Sequence, residues 1–233
     1  MTRILRHQAM GKGSLDWLQT YYHFSFADYY NQDNIQFGAL RVINDDTIAP
    51  HTGFSTHPHR DMEIVTYVLE GELTHADSMD NQRTLSRGGV QYLSAGTGIW
   101  HSEENVSDQP VRLLQIWILP DRKNHRPNYG DYTFPMEARK GQWLHFVSSK
   151  AGEAEIQINQ EADFFARVLK KDEGASFSVP KGKMAYVVQA EGEGQINGET
   201  LFCHDALESI EEDLSFRALS DEAHYVVILL DKA

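Results

Sequence analysis

Short apolar or alternating runs recur along the chain, and most are closed by a turn signal. Phe37 to Ile43 ends at Asn44-Asp45-Asp46, Glu63 to Leu69 at Glu70-Gly71, and Leu73 to Asp77 at Ser78-Met79-Asp80-Asn81. Val90 to Ser94 follows Arg87-Gly88-Gly89 and leads to glycines at 96 and 98, and Val111 to Leu119 completes the series. Runs of this length with β-branched and aromatic residues predict strands, and the Gly, Asn and Asp clusters between them predict tight turns. Amphipathic helical spacing is nearly absent, so the pattern predicts an all-β sandwich or barrel. The aromatic-rich stretch from Trp17 to Tyr30 reads as strand or as extended chain laid over that core.

Pro120 to Pro135 is charged, proline-bearing and without periodicity, which predicts a linker. After it the strand rhythm resumes, from Trp143 to Ser148 through to Tyr225 to Leu230. Two β units are expected, one over residues 1–125 and one over 136–233. Val187-Val188-Gln189-Ala190-Glu191-Gly192-Glu193-Gly194 echoes Tyr67-Val68-Leu69-Glu70-Gly71-Glu72-Leu73, an apolar strand followed by Glu-Gly and another strand. At 233 residues, 41% of them hydrophobic and 11% aromatic, there is ample material for packed cores.

Charge narrows the functions available. With 21 Lys+Arg against 34 Asp+Glu the formal charge is −13, a surface that repels phosphate backbones and anionic lipid, so no nucleic-acid or membrane partner is expected. The opening residues lack the apolar stretch of a secretory signal, and no run is long enough to span a bilayer, which leads to the expectation of a cytoplasmic protein. The single cysteine, Cys203, cannot pair within the chain and sits in the apolar run Leu201-Phe202-Cys203, where a buried, inert thiol is expected. A monomer is expected, because two β units can bury each other's faces.

The chemistry gathers between Gly53 and Asn105. On an extended chain alternate side chains share a face, so His57 and His59 point one way, as do His101 and Glu103. Facing each other across a barrel, the two pairs would bring three imidazoles and a carboxylate to one centre, a donor set suited to iron, manganese, cobalt, nickel, copper or zinc. Thiolate is missing from the set, which argues against a cysteine-rich structural zinc site. Glycines at 71, 89, 96 and 98 allow the strands to turn tightly around it. The second half has no His-x-His, and its His204 and His224 stand alone, so it is expected to hold no metal. His75 and Asp77 read as a strand-edge pair, His51 and His125 as solvated loop residues, and His23, among Tyr22, Phe24 and Phe26, as a packed residue or one that touches a flat ligand. Gly-x-Ser-x-Gly, phosphate-loop and dinucleotide motifs are absent.

Gly53-Phe54-Ser55-Thr56-His57-Pro58-His59-Arg60-Asp61-Met62-Glu63, with Thr66 to Gly71 and Ser94 to Glu103, resembles the two cupin motifs. The wider text is similar to the pirin family: His23 to Tyr30 and Leu40 to Asp46 upstream, Leu114-Gln115-Ile116-Trp117-Ile118 downstream. The resemblance implies a bicupin, two double-stranded β-helix or jelly-roll barrels in tandem, with one metal in the first. Three residues separate His59 from Glu63 where metal-binding cupins commonly have four, and a one-residue change inverts strand parity. That moves Glu63 to an orienting or ion-pairing role and favours Glu103, the carboxylate pirins use. The resemblance further implies a quercetin 2,3-dioxygenase-like enzyme that opens a flavonol with dioxygen and releases carbon monoxide, with iron(II) the first metal expected and Glu103 as base. Two other classes stay open: a non-enzymatic, iron-dependent redox sensor or regulatory cofactor of transcription factors, as eukaryotic pirins look to be, and a structural bicupin whose site is vestigial.

Overall fold

A computed structural model of the chain describes residues 1–232. It is strands throughout, with two short 3-10 turns at His7–Ala9 and Met136–Arg139 and no α-helix among the described residues. None of its helices is long and apolar enough to cross a membrane. The chain divides into two compact units, one formed by Gly11–Phe134 with Ile158–Gln160, the other by Met1–Met10, Pro135–Gln157 and the chain from Glu161 onward.

The first unit stacks two antiparallel sheets. Seven strands form one sheet, in the order Asn128–Thr133, Gly89–Ser94, Glu63–Glu70, Val111–Ile118, Leu40–Ile48, Leu18–Tyr22 and Gly11–Ser14. Thr52–His59, Ile99–Asn105, Glu72–Asp77 and Gln82–Ser86 form the other. The sheets do not close into a ring: they pack face to face through Leu18, Ile48, Val68, Val111 and Leu113 on one side and Leu73 and Leu85 on the other, the two-sheet jelly-roll solution.

Two local expectations change. Asn44-Asp45-Asp46 does not end a strand, because Leu40–Ile48 runs straight through it and all three residues are buried. Asp45 tolerates this by accepting a fork of hydrogen bonds from Arg112 on the next strand, at 2.8 and 2.6 Å. The stretch expected as a linker contains Asn128–Thr133, which pairs along its whole length with Gly89–Ser94. Its polar residues are exposed, as suits an edge strand, while Tyr129 packs against His75 of the other sheet.

The other unit also has a seven-stranded and a four-stranded sheet. The unit boundaries differ from those expected at its start: Thr2–Leu5 pairs with Ala206–Ile210, so Met1–Met10 lies with the C-terminal half. Arg3 donates to both oxygens of Glu208, at 2.7 and 2.6 Å, and Arg6 reaches the buried Asp205 at 2.8 Å. The interior is apolar, filled by Leu169, Phe177, Val187, Phe216, Tyr225 and Val227. Cys203 lies past the strand Glu199–Leu201 rather than in it, and is half-buried, its thiol directed to the carbonyl of Ala190 at 3.3 Å.

Candidate metal centre

Register explains how distant residues meet. Ile99–Asn105 lies between Thr52–His59 and Glu72–Asp77, with His101 directly opposite His57 on one side and Asp77 on the other, and Glu103 opposite His75. Cross-strand partners share a face, so His57, His59, His101, Glu103, His75 and Asp77 all project the same way, into the interior. Between His101 and Glu103 the register to Thr52–His59 slips: Glu103 pairs with Phe54, so the strand bearing His57 carries one extra residue. Beside this bulge the two backbones approach closely at Gly53, where any Cβ would collide with the main chain of Glu103 and Glu104.

One nitrogen from each of His57, His59 and His101 falls within 4.8 Å of the others. The Nδ1 of His57 faces the carbonyl of Ser55 at 2.8 Å, and since a carbonyl only accepts, Nδ1 carries the proton and Nε2 presents a lone pair. That Nε2 lies 3.1 Å from Nε2 of His101. Burial, and then the neighbouring His57, push His59 down to about 4, and burial, followed by His59, His57 and His75, pushes His101 down to about 2. Ring nitrogens gathered this closely form a donor set a cation could accept, and neutral imidazole is the ligand form of histidine.

Glu103 stands at the base of the cluster, buried, its carboxyl pushed up by that burial. Gln91 donates to one oxygen at 2.5 Å, together with Thr66 at 3.0 Å, and Gln115 donates to the other at 2.6 Å. These neutral amides and hydroxyl fix the carboxylate without neutralising it. The ligand oxygen of Glu103 groups with nitrogens of His75 and His101, all within 4.8 Å of one another, so His101 is the residue common to this set and to the three-histidine set.

His75 is therefore no strand-edge residue. It is wholly buried, stacked on Tyr129 with ring centroids 4.4 Å apart, and donates from Nε2 to Asp77 at 3.1 Å. The pairing with Asp77 was legible from their i, i+2 spacing; the nearness to Glu103 depends on cross-strand register. Glu63 turns away: it accepts from Ser94 at 2.7 Å and from the backbone and side chain of Asn159 at 3.0 and 3.2 Å. It thus ties down the Ile158–Gln160 segment instead of orienting a histidine. His23 is buried outside the cavity walls, His51 is solvated beside Asp108, and His125 pairs with Asp121 with most of its ring covered.

A cavity of about 460 Å³ opens beside the cluster, lined by His57, His59, Glu103 and Gln115 at one end and by Trp17, Tyr22, Phe26, Phe54 and Trp117 along its walls. Trp117 stands edge-on to His59 at 4.9 Å and to Phe26 at 5.5 Å. Asn44 and Asp46 complete the lining. Composition alone marked them as a turn, and alternation with Val42 and Ile48 was the signal that could have placed them inside.

Two stacked-sheet units, with an HxH pair and a His-x-Glu pair facing one another in the first, define a bicupin. The family model described as Pirin matches residues 4–118, and that described as Quercetinase C-terminal cupin domain matches 134–231. A relative from Pseudomonas aeruginosa, provisionally named a quercetin 2,3-dioxygenase, is 42% identical over 214 residues, 91% of this chain and 92% of that protein. The protein named quercetin 2,3-dioxygenase in Escherichia coli K12 is 39% identical over 223 residues, covering 95% and 94%. The crystal structure of a bacterial pirin from Escherichia coli in complex with nickel(II) superposes with a TM-score of 0.93 at 34% identity, covering the whole of both chains. The chain belongs to the pirin family.

Proposed function

We propose that this pirin is a metal-dependent dioxygenase acting on flavonols, with His57, His59, His101 and Glu103 holding one divalent transition metal. The observation that carries the reading is the convergence of three imidazoles, with a buried carboxylate beside His101, at the end of a cavity walled by flat aromatic side chains. Iron(II) is the first candidate on family grounds; the nickel(II) bound by the Escherichia coli pirin belongs with copper, manganese, cobalt and zinc among the alternatives. When bound, such a metal supplies Lewis acidity that acidifies a hydroxyl and a centre compatible with oxygen chemistry.

The chain's own residues do the rest. Trp117, Phe26 and Tyr22 sandwich and orient a planar ligand and keep water from the reacting face. Glu103, its basicity raised by burial, takes the proton of the flavonol 3-hydroxyl, while Gln91, Gln115 and Thr66 hold the carboxylate toward it. Both atoms of dioxygen enter the opened depside, and one ring carbon leaves as carbon monoxide.

The test is incubation of the protein, loaded in turn with each candidate metal, with quercetin in air and measurement of carbon monoxide. Stoichiometric release with at least one metal is expected. No release with any of them overturns the reading and favours a metal-dependent sensor of the regulatory pirin type.

A further inference from the structure

Beyond Gln115 the strand Leu40–Ile48 gives the cavity a polar wall where an apolar one would be simplest. Asn44 and Asp46 both line it, each at least nine-tenths buried, and Oδ1 of each is buried with no hydrogen-bond partner in the protein. An unpaired buried oxygen costs roughly 1–3 kcal/mol, so two side by side on one strand face call for a ligand group that completes them. The one donor facing them is the buried hydroxyl of Thr20, opposite Asp46, which can serve a single carboxylate oxygen; the nearest amide across the sheet, Gln115, opposite Asn44, is committed to Glu103.

Register sets the distance. Asn44 lies opposite Gln115, which touches Glu103, and Asp46 is one pleat further along the same face, opposite Thr20. Two residues along a strand span about 6.8 Å, roughly the width of one aromatic ring with its substituents.

We propose that Asn44 and Asp46 form a hydroxyl-binding subsite, which selects flat aromatic ligands carrying a hydroxyl donor on a ring remote from the one that meets the histidine cluster. The proposal rests on the aromatic-cavity reading above and deepens it to a specificity determinant. The chemistry favours a neutral hydroxyl over an anion, because Asp46 and Glu103 already place two carboxyls in one enclosed space. Burial, ahead of the charges of Asp45 and Glu103, pushes Asp46 up to about 7. A hydroxyl matches both of its forms, donating to the carboxylate and accepting from the acid.

The test measures binding, not turnover. Trp17 and Trp117 line the cavity, so quenching of their fluorescence reports occupancy in both the metal-free and the metal-loaded protein. Two ligands are titrated: quercetin, and 3-hydroxyflavone, which lacks the remote hydroxyls. About tenfold tighter binding of quercetin is expected for the native chain. In the double variant Asn44→Leu, Asp46→Leu the ratio is expected to fall to about one while 3-hydroxyflavone binds within about twofold of before. If the double variant does not fold, the single variants Asn44→Ala and Asp46→Ala are read the same way, each lowering the ratio by about threefold.

Equal binding of the two ligands to the native chain, or an undiminished ratio in a folded variant, overturns the subsite. A hydroxyl-dependent ratio without any carbon monoxide release would overturn the dioxygenase reading and leave the subsite standing. Failure of either ligand to bind at all overturns both.

Discussion

Glu103 shows how much one side chain's surroundings decide. It is the only carboxylate on the face that carries His57, His59 and His101 to have its oxygens held by two neutral amides and a hydroxyl, and burial raises its pKa. If it is the base, Glu103→Gln is expected to lower quercetin turnover by roughly 10²- to 10⁴-fold while the protein keeps part of its metal. His57→Ala or His101→Ala is expected to strip metal and activity together; bound-metal analysis giving full occupancy would refute the ligand assignment. That these four share one face was legible because strands have a period of two, which places each pair on one side from spacing alone. Asn44 and Asp46 were not, since the same residue types that make turns also line wet cavities, and composition does not separate the two uses. His75 was half legible: its partner Asp77 is local, whereas Glu103 is reached only through register.

At the scale of elements, the site depends on how three strands align. The extra residue between His57 and Phe54 bends Thr52–His59 and lets it lie against the backbone of Glu103 and Glu104 at Gly53. Gly53→Ala places a methyl group against main-chain atoms that have no rotamer to escape by. It is expected to cost about 1–3 kcal/mol, seen as a lowered melting temperature, and to weaken metal binding by moving the strand that bears both histidines. An unchanged melting temperature and metal affinity would show that the strands separate freely there. Asn159→Ala makes the contrasting case. It strips Glu63 of two side-chain hydrogen bonds, leaving a buried carboxylate poorly satisfied, and is expected to cost about 1–3 kcal/mol with metal content unaltered. Loss of metal in that variant would return Glu63 to a role at the site. The strand order and the edge strand Asn128–Thr133 were hidden from sequence, because edge strands carry the polar, proline-flanked text that otherwise denotes a linker.

Across the whole molecule the two units share a layout and differ in what fills them. The first gathers Thr66, Gln91, Glu103 and Gln115 in its interior, while the second has a large apolar cluster in which Gln189 is a buried polar exception. Metal should therefore stabilise the unit Gly11–Phe134 alone, by about 4 kcal/mol at a thousandfold excess over its dissociation constant. Without metal the same cluster makes that unit sensitive to acid. In the folded chain His59 titrates near 4 and His101 near 2, against about 6.5 for an unfolded histidine, so between roughly pH 4 and 6.5 the unfolded state binds more protons. Stability then rises with pH through that window and is lost as pH falls from 6.5 toward 4. Asp46 works in the opposite sense: its folded value of about 7 lies above the ordinary carboxylate range, so its contribution is largest in acid and declines as pH rises toward 7. Glu103, its carboxyl raised by burial as well, works in the same sense as Asp46, so the drop in melting temperature on acidification expected from the two histidines of the metal-free protein is partly offset by two carboxyls. Asp46→Asn removes one of these two opposing groups and should steepen the drop; thermal melts of chelator-treated protein between pH 4 and 7, with and without that substitution, measure both slopes. A drop no steeper in Asp46→Asn than in the native chain would mean that the Asp46 carboxyl is not held raised in the folded protein.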